Sequence, residues 1–191
     1  MELTMMIPSS NRCLDLMRDM EMMEHIVTHS RRVCQVAVCI ADHLNHQSRQ
    51  PNLKLIIAAA LLHDITKTRS FKTGENHADT GARLMESLGY QEVGDIVRQH
   101  VRLDTYSVSE SITEVEIVNY ADKRVLHDQV VSLKERKAYI FEKYGKTPEN
   151  RKRLIGLWRE TEKQEGRIFR HLPFDPEQLP DYLTTPPALA E

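Results

Sequence analysis

Two residues that commonly bind metals stand side by side at the end of an apolar segment. His63 and Asp64 follow residues 53–62, in which Lys54 is the one polar residue. Such a segment predicts a buried helix, and an ionised carboxylate beside it is unfavourable unless a partner or a cation compensates its charge. The pair therefore raises the hypothesis of a metal site. For an isolated pair the commoner alternative is a helix end, with Asp64 in solvent and His63 bonded to a carbonyl of the last turn.

Further side chains of the metal-binding types lie on the apolar faces of other predicted helices. They are His29, His77, His100 and Asp122. One polar residue on such a face is usually a core residue whose hydrogen bonds are satisfied. Several helices that each direct an imidazole or a carboxylate inward are a different case, because buried polar groups need partners. One or two divalent cations would satisfy all of these groups together.

Helical periodicity predicts the elements that hold these side chains. Apolar residues recur with helical spacing over residues 22–44, 53–62, 76–89, 91–102, from residue 110 onward, 133–143 and 148–171. A shorter helix, capped near residues 10 and 11, follows an N-terminal arm. Residues 68–75 are expected to form a polar connection, and no alternating run is long enough for a strand. The expected fold class is all-α, with a bundle of about seven to eight helices.

The chain is long enough for one domain, and three segments are expected within it. Residues 1–21 form an arm and a short helix, residues 22–145 form the core, and residues 146–191 supply a C-terminal helix and a tail packed on the same domain. Five prolines follow residue 172. We therefore expect the tail to be an extended strap or a disordered end.

Composition and charge argue against several kinds of protein. A net charge of −2 disfavours an extended nucleic-acid-binding surface. No apolar run reaches the length of a membrane span, and the N-terminus lacks the basic region of a signal peptide. Three cysteines leave at least one thiol unpaired, which suits a reducing cytoplasm. These features predict a cytoplasmic protein that acts on a small molecule in a compact pocket.

In their order along the chain, the ligand-type residues and their neighbours resemble the HD-domain superfamily of metal-dependent phosphohydrolases, and in particular its HDIG-type branch. The resemblance rests on His29-Ser30-Arg31-Arg32-Val33, His63-Asp64-Ile65-Thr66-Lys67, His77, Ile96-Val97-Arg98-Gln99-His100 and Tyr120-Ala121-Asp122. It spans about residues 25–140. One departure is Thr66, which stands where the branch's name has glycine and makes the turn less permissive than glycine would.

The resemblance implies an HD-domain-like bundle around a metal site. The ligands it implies for a first cation are His29, His63, Asp64 and Asp122. It implies that His77 and His100 hold a second cation and that Asp64 bridges the two. Mixed nitrogen and oxygen donors suit Fe, Mn, Co, Ni or Zn better than Ca, and the expected cofactor is one or two such divalent ions.

The activity implied by the resemblance is hydrolysis of a phosphoester or phosphoanhydride bond in a nucleotide or another small phosphorylated compound, by a metal-activated water. Asp64 and Lys67 are the expected catalytic residues, and Lys67 is also expected to bind the substrate phosphate. Arg102, Lys123 and Arg124 are further candidates for substrate binding, although each could equally be a solvated helix residue. Two alternatives remain open: a di-iron oxygenase of the same fold, and a regulatory module that binds a nucleotide or a partner without turnover. The oligomeric state is not predicted.

Overall fold

The computed structural model describes residues 6–44, 50–104 and 111–184, and within these residues the fold is all-α apart from one small hairpin. The helices are α1 (Ser10–Asp19), α2 (Glu24–His43), α3 (Leu53–Leu62), α4 (Lys67–Thr73), α5 (His77–Ser87), α6 (Gln91–Gln99), α7 (Glu114–Lys123), α8 (Leu133–Tyr144) and α9 (Pro148–Phe169). This confirms the predicted fold class. None of the described helices combines the length and apolarity that a membrane crossing requires.

The core is organised around α3. Its residues from Ala58 to Leu62 are fully buried, as the run of apolar side chains predicts. Helix α2 packs along α3, α7 packs against both, and the pair α5–α6 reaches α3 through α6. Because α3 is enclosed on these sides, the two residues that follow it, His63 and Asp64, are placed in the interior.

Three elements differ from the sequence predictions. Residues 68–75 were expected to form a connection, but most of them belong to α4. This helix buries none of its side chains, so its sequence shows no helical periodicity of apolar residues. Two strands were not predicted either: β1 (Val125–Leu126) and β2 (Gln129–Val130) pair antiparallel. Each strand is only two residues long, which is too short for an alternating pattern.

The boundaries of two further elements also need correction. Helix α7 starts at Glu114 and not near residue 110, because Thr113 caps it in a reciprocal arrangement with Glu116. The proline-rich tail is neither a plain strap nor a disordered end over its described part. It contains a 3₁₀ helix, Pro176–Tyr182, which buries Leu179 against the core.

Helix α9 is fastened to α7, the helix that carries Asp122. The amide of Gln164 donates to the carbonyl of Glu116 at 2.7 Å, and the Tyr120 hydroxyl donates to Glu165 at 2.5 Å. The Arg124 guanidinium also donates to the Tyr120 hydroxyl at 2.7 Å. The C-terminal helix is therefore an integral support of the side of the molecule where the site lies.

Candidate metal centre

Six side chains of the metal-binding types converge at one place, and they come from five parts of the chain. Three of them lie at helix ends: His63 is the C-cap of α3, His77 the first residue of α5, and His100 the C-cap of α6. The other three are His29 on α2, Asp64 in the turn after α3, and Asp122 on α7. The structure thus brings together every residue for which the sequence predicted a ligand role.

A first cluster joins α2, α3 and α7. Nε2 of His29 lies 3.0 Å from Oδ1 of Asp122. Nε2 of His63 lies 3.4 Å from Oδ2 of Asp64 and 3.7 Å from Oδ1 of Asp122. His29, His63 and Asp64 each offer one ligand atom within 4.8 Å of the others, so these three residues could hold one metal ion.

A second cluster uses the other oxygen of the same carboxylate. Oδ1 of Asp64 lies 3.2 Å from Nε2 of His77 and 3.5 Å from Nε2 of His100. The two imidazole nitrogens are 3.2 Å apart, and the three ligand atoms again lie within 4.8 Å of one another. Asp64 is therefore shared between two groups that could each hold a cation.

Backbone carbonyls set the orientation of three of the histidine rings. Nδ1 of His29 is 2.8 Å from the carbonyl of His127, Nδ1 of His63 is 2.8 Å from the carbonyl of Ala60, and Nδ1 of His100 is 2.6 Å from the carbonyl of Val97. A carbonyl only accepts, so Nδ1 carries the proton in each ring. In its neutral form each ring would therefore present an unprotonated Nε2 to the site, as a metal ligand must.

Two buried atoms at the centre of the site indicate that the residues fit a metal. Nε2 of His63 and Oδ1 of Asp64 are buried and have no hydrogen-bond partner among the described residues. Buried polar atoms without partners are rare, because each loses its hydration without compensation. A cation held by these atoms would supply that compensation, and the donor set of imidazole nitrogens and carboxylate oxygens suits a divalent transition metal.

Burial and charge shift the pKa values of the central residues in different directions. Burial raises the pKa of Asp64, but the charges of His63 and Lys67 outweigh it and hold this pKa well below its ordinary value. Burial lowers the pKa of His100, which favours the neutral ring. For His63, burial is opposed by the charge of Asp64, and the pKa is raised. The carboxylate at the centre of the site is therefore ionised at neutral pH.

Thr66, the departure from the HDIG pattern, has a defined place in this site. Its backbone has φ −104°, so the turn does not need glycine at this position. The Thr66 hydroxyl donates to the carbonyl of His77 at 2.9 Å and lies 2.8 Å from the hydroxyl of Thr80. A threonine here connects the turn after α3 to the start of α5, where His77 lies.

The site opens into a cavity of about 950 Å³. Its walls carry cationic side chains: Lys67, Arg102, Lys123, Arg136, Lys152 and Arg153. Apolar and aromatic residues line it as well: Phe71, Val101, Leu103, Ile140, Tyr144, Leu154, Leu157 and Trp158. The cavity therefore combines cationic side chains with an apolar surface.

The structure separates the sequence-predicted substrate residues into two groups. Lys67 and Arg102 line the cavity, and Nζ of Lys67 lies 2.7 Å from Oδ2 of Asp64. Lys123 also lines it, but its ammonium donates to the carbonyls of His100 and Asn119, and burial lowers its pKa to about 8. Arg124 does not line it; its guanidinium donates to the carbonyls of Val131 and Pro176. The bonds of Lys123 and Arg124 thus hold other backbone segments in place.

Arg136 was not placed among the site residues in the sequence analysis, and the cavity wall formed by α9 was not identified there. Arg136 lies on α8, and its Nη2 is 3.9 Å from Oδ1 of Asp122. The wall from α9 includes Arg153, Gly156, Leu157 and Glu160, whose spacing of three and four places them on one helix face. That spacing was visible in the sequence, but which way the face points depends on how α9 packs on α7.

Comparison with known proteins assigns the family. A sequence model of the HD domain matches residues 26–125, which include all six ligand-type residues described above. The chain belongs to the HD-domain family.

Two curated relatives and one solved structure resemble the chain. The tRNA (cytidine(56)-2'-O)-methyltransferase of Thermoplasma volcanium is 30% identical over 143 residues, and that of Picrophilus torridus is 29% identical over 143 residues. Each match covers 68% of this chain and 40% of the relative, so the chain spans less than half the length of these relatives. The crystal structure of a predicted HD superfamily hydrolase from an uncultured Thermotogales bacterium is 24% identical, covers 88% of this chain and 96% of that chain, and has a TM-score of 0.49.

Proposed function

We propose that the protein is a metal-dependent phosphohydrolase that cleaves a phosphoester or phosphoanhydride bond of a small phosphorylated compound, such as a nucleotide. One observation carries the proposal: Asp64 is shared by two histidine clusters beside a cavity lined by cationic side chains. Carboxylate and imidazole donors suit a divalent cation, and cationic walls suit a phosphate.

The chain's own residues support this chemistry in separate ways. A divalent cation at such a site supplies Lewis acidity and lowers the pKa of coordinated water. Lys67 holds the Asp64 carboxylate by a hydrogen bond of 2.7 Å and adds positive charge beside the place where a phosphate would lie. The cavity of about 950 Å³ falls within the range of small-molecule pockets, so a compact substrate fits it better than a polymer does.

We do not extend the activity of the curated relatives to this chain. Their names describe methyl transfer to tRNA, but the match covers 40% of each relative. The proposal therefore depends on the site geometry and not on those names.

The proposal is tested by phosphate release. The protein, purified without chelator, is loaded separately with Fe, Mn, Co, Ni or Zn and incubated with a panel of nucleotides and other phosphorylated compounds. We expect metal-dependent turnover of at least one compound, and its loss in Asp64→Asn, because that change removes the shared carboxylate charge. Asp95→Asn, an exposed carboxylate on α6, is the matched control and should retain full turnover.

Metal analysis of the same proteins tests the site itself. His63→Ala and Asp64→Asn should lose bound transition metal while the circular dichroism spectrum stays helical. His77→Ala should lower the metal content by one ion per chain if each cluster holds its own ion. Wild-type metal content in His63→Ala and Asp64→Asn would refute the assignment.

Two other outcomes would favour the alternative functions. Tight binding of one nucleotide with no turnover would favour the regulatory binding module. An oxygen-reactive mixed-valent di-iron centre in the Mössbauer spectrum would favour the oxygenase.

A further inference from the structure

Arg136 is a largely buried cation beside the first metal cluster. Its side chain is 14% exposed, and it lines the cavity. The distance of 3.9 Å from its Nη2 to Oδ1 of Asp122 is too long for a hydrogen bond. Arg136 is therefore attracted to the site carboxylate but is not bonded to it.

The guanidinium of Arg136 has no hydrogen-bond acceptor among the residues that the structure describes. The described contacts of the side chain are the distant carboxylate and the ring of Tyr139, whose centroid lies 5.9 Å from Cζ. A guanidinium has five N–H donors, and none of those of Arg136 is fully buried, so they are accessible from the cavity that the residue lines. The described residues therefore supply no acceptor for these donors, and a ligand in the cavity would supply one.

The neighbouring cations are in a different situation. Lys67 is hydrogen-bonded to Asp64, and Lys123 to two backbone carbonyls. Arg102 is exposed at the surface. Arg136 thus combines three properties: it is largely enclosed, it lies close to the clusters, and its donors are not committed to the protein. These are the properties expected of a residue whose partner is the substrate.

We propose that Arg136 binds the phosphate of the substrate, donating its N–H groups to phosphoryl oxygens beside the first metal cluster. The planar guanidinium matches the spacing of phosphate oxygens and commonly forms two parallel hydrogen bonds with them. A neutral acceptor would satisfy only the donors of Arg136, whereas a phosphate would also add a negative charge closer to the guanidinium than Asp122 is. This inference rests on the proposed function, and it places a substrate ligand on α8, outside the matched residues 26–125.

The test measures binding of inorganic phosphate to metal-loaded protein by isothermal titration calorimetry. We expect Arg136→Met to bind phosphate about 10- to 100-fold more weakly, the effect of losing a hydrogen-bonded ion pair. Arg136→Lys should fall between Arg136→Met and wild type, because it keeps the charge but loses the paired donors. Lys134→Met is the matched control: it removes one positive charge from an exposed position on the same helix and should bind phosphate as wild type does.

Metal content and turnover separate this inference from the proposed function. Unchanged phosphate affinity in Arg136→Met would overturn the inference, and so would loss of metal from that variant, because Arg136 would then act through Asp122. Wild-type kcat/KM in Arg136→Met, on a substrate that the wild-type protein hydrolyses, would overturn the role of Arg136 and leave the hydrolase proposal standing. Arg136-dependent phosphate binding without turnover of any substrate would have the opposite meaning: the anion site would stand and the hydrolase proposal would fail.

Discussion

His127 illustrates how individual residues outside the ligand set shape the site. This residue has φ 56°, in the left-handed region that non-glycine residues seldom adopt. Its carbonyl accepts the Nδ1 proton of His29, and the following carbonyl, that of Asp128, accepts from the Arg32 guanidinium. The turn between the two short strands therefore fixes the orientation of a ligand-type histidine on α2, almost a hundred residues earlier in the chain.

At the same scale, the Thr66 hydroxyl contributes to the stability of the protein and to metal binding at the second cluster, and both contributions can be measured. Thr66→Gly removes the hydrogen bond to the His77 carbonyl and loosens the turn, so we expect it to lower the free energy of unfolding by about 1–3 kcal/mol and to weaken metal binding at the second cluster. Urea unfolding and metal titration measure the two effects. Thr66→Ser keeps the hydroxyl and serves as the control; equal metal affinity in the glycine and serine variants would contradict this role.

At the scale of elements, the packing of α5 on α6 depends on glycine at position 81. A Cβ at Gly81 would lie 2.9 Å from Cγ1 of Val97 and 3.3 Å from Cγ2 of Ile65. These side chains are buried in the core and have little room to move. Gly81 therefore sets how closely α5, which begins at His77, approaches α6, which ends next to His100.

Gly81→Ala should destabilise the protein by about 1–3 kcal/mol, because the added methyl group overpacks this interface. Gly166→Ala is the matched control, since a Cβ at Gly166 meets nothing within 4 Å and the change should instead stabilise α9 by about 0.5–1 kcal/mol. Denaturant unfolding of both variants provides the comparison. A stabilising effect of Gly81→Ala would contradict this role, because it would show that α5 and α6 can move apart without a loss of stability.

The sequence predicted best the helices that have an apolar face. The predicted ends lie within two residues of the observed ones for α2, α3, α5, α8 and α9. Helix α4 has no such face, and the short strands and the 3₁₀ helix of the tail depend on contacts made after the chain has folded. Local periodicity carries no information about such contacts.

The residues of the site also fall into those that the sequence predicted and those that it could not predict. The six ligand-type residues could be picked out because each interrupts an apolar face or follows an apolar run. The cavity wall could not be predicted, because Arg136 and Leu157 come together with the site only through the docking of α8 and α9. The bonds of Lys123 to the His100 carbonyl and of Arg124 to the Pro176 carbonyl were equally hidden, since these partners are distant in sequence.

At the scale of the whole molecule, the three cysteines report on the integrity of the core. Burial raises the pKa of the Cys13 and Cys34 thiols to about 12 and that of Cys39 to about 11. All three thiols are free. Since the thiolate is the reactive form, the native protein holds its thiols protonated and enclosed at neutral pH.

We therefore expect a thiol-specific chromogenic reagent at pH 8 to label none of the cysteines in the native protein and all three in denaturant. Because the pKa values are raised on folding, the thiols favour the folded state fully below their ordinary pKa of 9.0. This contribution should decline as the pH rises from about 9 towards 12. Rapid labelling of one native cysteine at pH 8 would mean that its part of the core opens without global unfolding.

One feature of the cavity wall makes the molecule convenient to study. Trp158 is the single tryptophan of the chain and is one of the residues lining the cavity. Its indole is almost fully enclosed, so its emission depends on the polarity and electric field at one known place. The protein thus carries its own optical probe. A change of tryptophan fluorescence on adding a compound reports a change at this wall of the cavity, and no added dye is needed.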